Sequence, residues 1–132
     1  MKVLVDTSVW SLALRRNLPS PHPKVEKLRS WIESGEEVFL LGVIFTELLQ
    51  GFREKKDFDR VHKALEPFPL LDLTRHDYRF AAEIRNLCLT KGIQTSTINV
   101  LIAAAAIEHE IPLLTTDNDF DRIASVVPLE LI

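Results

Sequence analysis

Lys2-Val3-Leu4-Val5-Asp6-Thr7-Ser8 opens the chain with an apolar, β-branched run that stops on an aspartate and meets two hydroxyl residues able to cap a helix. Val9, Trp10, Leu12 and Leu14 then recur at helical spacing. A buried strand running directly into a helix is the repeating unit of a parallel sheet. Asp6 falls just past the strand's carboxyl end, on the side where open parallel sheets bind their ligands.

The same alternation continues outward. Pro19, Pro21 and Pro23 interrupt the next stretch, after which Val25, Leu28, Trp31 and Ile32 mark a helix that ends at Gly35. Residues 38–41 read as a second buried strand and 43–52 as a helix following Gly42. A helix over 55–65 places Phe58, Val61, His62 and Leu65 on one side and is stopped by Pro67 and Pro69. A weak strand at 70–73 precedes a helix over 75–91, which Gly92 closes. Thr95, Ser96 and Thr97 offer caps for a helix over 98–110; a strand at 113–115, a short helix at 120–124 and an edge strand at 126–131 follow. Strands alternating with helices predict one domain over residues 1–132, a three-layer α/β/α sandwich with a central, mainly parallel sheet.

With 132 residues and 46% hydrophobic content, the chain suits a single domain with a substantial core. Cys88 is the one cysteine, so no internal disulfide is available, and the N-terminus enters a strand-like run without the sections of a signal peptide. A reducing cytoplasm is the expected location. The apolar run 100–107 is far shorter than the roughly 20 residues that span a bilayer, so no membrane association is expected. A net charge of −3 gives no global attraction to a polyanion. Nucleic-acid binding would then depend on metal ions and on local clusters: Arg15-Arg16, Lys24 with Lys27, and Arg53 with Lys55-Lys56.

Carboxylates, or a near-isostere, recur at places a parallel sheet would gather: Asp6; Glu47 within Thr46-Glu47-Leu48-Leu49-Gln50-Gly51; Asn99; and Asp117 within Leu114-Thr115-Thr116-Asp117-Asn118-Asp119-Phe120. Acids crowd together only where a cation or a shared proton offsets their repulsion, which points to a divalent-metal site. Each has a plainer reading. Asp6 would serve as a helix cap, and Glu47, which lies off the apolar face of its helix, as a solvated glutamate. Gly51, one turn beyond Glu47, suggests that another backbone or a ligand approaches closely there. Asn99 lies in a helix apolar nearly all round, with four alanines from Ala103, and so is expected to be buried on most sides. Asp117-Asn118-Asp119-Phe120-Asp121 opens like a calcium loop, but Arg122 and Pro128 stand where that loop requires glycine and glutamate. His22, His62, His76 and His109 lack zinc-ligand spacing. Four glycines draw neither a dinucleotide fingerprint nor a phosphate loop, and no G-x-S-x-G elbow surrounds Ser8.

Taken together, Val5-Asp6-Thr7-Ser8, Thr46-Glu47-Leu48-Leu49-Gln50-Gly51, Leu101-Ile102-Ala103-Ala104 two residues after Asn99, and Leu114-Thr115-Thr116-Asp117-Asn118-Asp119-Phe120 resemble the PIN-domain nucleases, specifically the VapC-type toxins of toxin–antitoxin pairs. The resemblance spans essentially the whole chain. It implies a PIN-like α/β/α fold and an endoribonuclease that hydrolyses RNA with Mg2+ or Mn2+, leaving a 5′-phosphate and a 3′-hydroxyl. It also implies a cognate antitoxin whose tail covers the active site, and a toxin homodimer. Carried over, the catalytic set is Asp6, Glu47, the position of Asn99, and Asp117. Asp6, Asn99, Asp117 and Asp119 would be the metal ligands, with Ser8 and Thr116 supplying hydroxyls behind them.

The chain departs from the family at Asn99, where the family has aspartate. The amide keeps the shape but replaces an anionic oxygen with NH2 donors that a cation repels, so metal affinity and turnover should fall. Two origins are open: a substitution made so that a toxic protein could be produced, which the intact remaining motifs favour, or a natural variant of weak or lost activity. The alternative function is a catalytically silent PIN-like module that binds RNA or its antitoxin. A receiver-like phosphoacceptor is a weaker third reading, because the first strand-to-helix turn lacks a pair of acids.

Overall fold

The computed structural model describes residues 1–15 and 22–132. Pro19, Pro21 and Arg16, named above as a proline break and half of a basic pair, lie outside the described residues. Strands β1 (Lys2–Val5), β2 (Glu37–Leu41), β3 (Leu70–Leu71) and β4 (Leu113–Leu114) form a four-stranded sheet in the order β3-β2-β1-β4, all pairs parallel. Among the described residues seven helices connect them: α1 (Thr7–Ala13), α2 (Pro23–Glu33), α3 (Gly42–Gln50), α4 (Lys55–Leu65), α5 (Arg75–Thr90), α6 (Thr97–Glu108) and α7 (Asp119–Ala124). The predicted α/β/α sandwich is the observed fold.

Strand order fixes where a ligand is received. From β1 the chain steps outward to β2 and β3, then returns past β1 to place β4 on its far side. Right-handed crossovers therefore send the helices before and after this reversal to opposite faces of the sheet. The packing agrees: α1 contacts α2 and α3, and α3 contacts α4, while α5 packs on α6 and α6 on α7. Between β1 and β4, where the winding changes direction, the chain leaves the carboxyl ends of the strands toward opposite faces, the place where open sheets of this kind form a ligand crevice. Residues 6 and 115–117 follow those ends directly.

Apolar side chains pin this arrangement. Val3, Leu4, Val5, Leu113 and Leu114 are fully buried, as residues covered on both faces of a parallel sheet should be, and Phe120 of α7 is buried with them. The alanines at 103–106 are all buried as well, and their small side chains let α5 and α6 approach closely. Trp10 belongs to the core, edge-on to Phe68 with ring centroids 5.0 Å apart, and Leu14 and Phe52 pack against the core half-buried. No described helix is long and apolar enough to cross a membrane.

Three expectations are corrected. The predicted edge strand at 126–131 is a single parallel bridge between Leu131 and Leu113, because the chain turns at residues 123–127 and leaves too few residues for a ladder. The strand at 70–73 contracts to Leu70–Leu71, paired only with Leu40–Leu41. Gly51 marks no neighbouring backbone: it ends α3, and a Cβ there would meet the helix's own Leu48 carbonyl at 3.3 Å.

Candidate active site

Asp6 is the centre of the crevice. It is 4% exposed, its amide extends the β1–β4 ladder to Leu114 O at 2.9 Å, and its backbone begins α1. Oδ2 of its carboxylate takes every side-chain bond, accepting from Ser8 Oγ (2.8 Å), Thr115 Oγ1 (2.8 Å) and the Ser8 amide (3.4 Å). Oδ1 has no hydrogen-bond partner among the described residues. Each hydroxyl also accepts an amide of the loop after β4: Ser8 Oγ accepts from the Thr116 amide across the strands, and Thr115 Oγ1 from the Asp117 amide within its own loop, both at 2.9 Å. Two side chains thus lock the end of β1 to the end of β4.

The remaining acids join by short links. Thr7 Oγ1, one residue from Asp6, donates to Glu47 Oε1 at 2.8 Å, which ties α3 to the crevice and leaves Glu47 Oε2 for a ligand. Ser96 caps α6 through the Asn99 amide at 3.1 Å. That cap sets Asn99 in the first turn, where it is half-buried rather than enclosed on most sides, and its Nδ2 donates to Asp117 Oδ2 at 3.4 Å. The other oxygen of Asp117 accepts the Asp119 amide at 2.9 Å, positioning α7. The Asp119 carboxylate itself is paired with Arg122 on the outer side of that helix.

Asp6, Glu47, Asn99 and Asp117 therefore belong to one connected network, with Asp119 at its margin. Among the described residues, no three His, Cys, Asp or Glu side chains gather closely enough to enclose a metal ion. What they offer is carboxylate oxygens without protein partners at Asp6 and Glu47. Such hard donors, few in number, suit a cation that keeps most of its water, as Mg2+ and Mn2+ do.

Thr115 and Thr7 are the participants that motif reading missed. The hydroxyl that reaches Asp6 is that of Thr115 and not of Thr116, which contributes its amide. The usable signal was register: Val5 pairs with Leu114, so the next residues on each strand, Asp6 and Thr115, meet.

The sequence pattern that defines the PIN domain matches residues 3–126. The chain belongs to the PIN-domain family. Within that family it is of the VapC type: it is 33% identical over 129 residues to the ribonuclease VapC51 of Mycobacterium tuberculosis, covering 96% of this chain and 88% of that protein. This PIN domain also superposes on solved structures. One is VapBC2 from Rickettsia felis bound to a DNA fragment from its promoter, with a TM-score of 0.81, 17% identity, and 100% and 98% of the two chains covered. Another is VapBC-5 of Mycobacterium tuberculosis, a member of the VapBC family of toxin–antitoxin systems, with a TM-score of 0.70, 18% identity, and 99% and 97% covered. At those identities the superpositions speak to the PIN fold alone.

Proposed function

We propose that this VapC-type PIN domain is an endoribonuclease toxin, neutralised by a cognate antitoxin and acting as a homodimer in the cytoplasm, whose turnover is suppressed by Asn99. The observation that carries the reading is the amide of Asn99 donating to Asp117 at the position where the resemblance calls for a third acid. The ribonuclease name of the 33%-identical relative supports RNA as the substrate, and the VapC type that it shares with this chain supports an antitoxin partner.

Asp6 and Asp117, completed by a carboxylate at 99, would hold Mg2+ or Mn2+. When bound, such an ion makes water nucleophilic near neutral pH and offsets charge on the scissile phosphate. The chain's own residues do the rest. Ser8 and Thr115 fix Asp6 by one oxygen and leave the other without a partner among the described residues. Thr7 holds Glu47 so that Oε2 is available to take a proton from the attacking water. The NH2 of Asn99 pairs with Asp117, and so both repels a cation and occupies an oxygen the ion would need.

The test is to compare the chain with Asn99→Asp on a labelled single-stranded RNA, with and without Mn2+ or Mg2+. We expect Mn2+-dependent cleavage to rise by roughly a hundredfold or more, the upper scale on which changes around a metal site act. RNA or antitoxin binding without cleavage by either form would replace the enzyme with a silent binding module.

A further inference from the structure

One cation named from the sequence reaches the acidic crevice. Lys24 occupies the second position of α2: His22 Nδ1 caps that helix by accepting the Lys24 amide at 3.1 Å, and Pro23 takes the first position. The half-buried Lys24 side chain ends with its ammonium donating to the carbonyl oxygen of Thr115. Thr115 is the residue whose hydroxyl holds Asp6 and receives the Asp117 amide. A positive charge is therefore stationed at the junction between the acids that follow β1 and β4.

Lys24 is distinguished by where its ammonium is held, against the residue that braces Asp6, and several other cations are already committed to an acid. Arg29 is paired with Glu26, Lys55 with Asp59, Arg60 with Asp57, and Arg122 with Asp119. Among the described residues, Lys24 forms no ion pair, and its bond to Thr115 is to a neutral carbonyl. An ammonium carries three donors, so two remain for an anion while the third keeps the group aimed. A chain of net charge −3 with its acids at the crevice repels RNA phosphates, and a local cation there offsets that repulsion.

We propose that Lys24 is a substrate-contacting residue that binds a non-bridging oxygen of an RNA phosphate beside the Asp6–Asp117 crevice. This rests on the reading of RNA as substrate but not on cleavage. The test measures binding of a fluorescent single-stranded RNA oligonucleotide to the chain as it stands, with Asn99 in place, over a series of salt concentrations. Lys24→Met should reduce the slope of log K against log salt by about 0.7, the value of one phosphate contact on a single strand, and Lys24→Arg should retain it. Thermal melting of each variant checks folding, and Lys24→Gln serves if the methionine variant does not fold. An unchanged slope overturns the proposal whatever happens to cleavage, and Lys24 is then a tether between α2 and β4. In the Asn99→Asp chain with Mn2+, Lys24→Met should further lower kcat/KM by about a hundredfold, the lower end of the cost of losing one positioned donor to a reacting anion. If Asn99→Asp fails to cleave while the slope still falls, the nuclease reading fails and the phosphate contact stands. Absence of any RNA binding overturns both.

Discussion

Thr115 shows how much one hydroxyl decides. It donates to the buried Asp6 carboxylate and accepts the Asp117 amide, so removing it takes one of three donors from the carboxylate and leaves the amide without its partner, at a position only 4% exposed. Leaving such groups unsatisfied costs about 1–3 kcal/mol. Thr115→Val, nearly the same in shape, should lose that much stability in urea titrations, and Thr115→Ser should recover most of it. If the valine variant matches the parent, the hydroxyl bridge does not hold the crevice together. At this scale Asp6, Glu47, Asn99 and Asp117 were legible because acids and amides stand out in otherwise apolar motifs. A threonine next to another threonine carries no such mark.

Four of the seven described helices, α1, α2, α5 and α6, begin at a side-chain cap. α5 starts in a capping box, with Thr74 Oγ1 accepting the Asp77 amide at 3.2 Å and Asp77 Oδ2 accepting the Thr74 amide at 2.9 Å. Thr74→Ala should lower stability by about 0.5–2 kcal/mol, visible as a reduced melting temperature with the fold intact by circular dichroism. A variant melting with the parent would show that α6 packing alone sustains this end of α5. α6 itself is apolar all round because it is covered on both sides, so periodicity says nothing about its rotation, and only the Ser96 cap places Asn99. Its expected extension to residue 110 fails because Glu110 turns to φ 53° so that the chain can re-enter the sheet at Leu113. The strand expected at 126–131 was misread for a related reason: an apolar run forms a ladder only if a partner edge runs beside it, and there Leu131 alone is placed to bridge Leu113.

For the molecule as a whole, the sheet is a common spine between two helical layers, and its opening can be followed at Cys88. That thiol is fully buried in the core, and burial pushes its pKa up, so it should react with a thiol reagent only when the domain opens. Labelling rates should track global unfolding across denaturant; fast labelling under native conditions would show that α5 detaches alone. Composition, caps and the alternation of strands with helices are local, and by themselves they determined the α/β class, most element positions and the set of acids available for chemistry. Only the tertiary structure decided that Asp6 meets Thr115 across 109 positions, that Lys24 arrives from α2, and that Asp119 turns away to Arg122. The reason is that the meeting depends on β4 docking beside β1 in one register, a long-range pairing chosen by burial on both faces of the sheet, which no local pattern encodes.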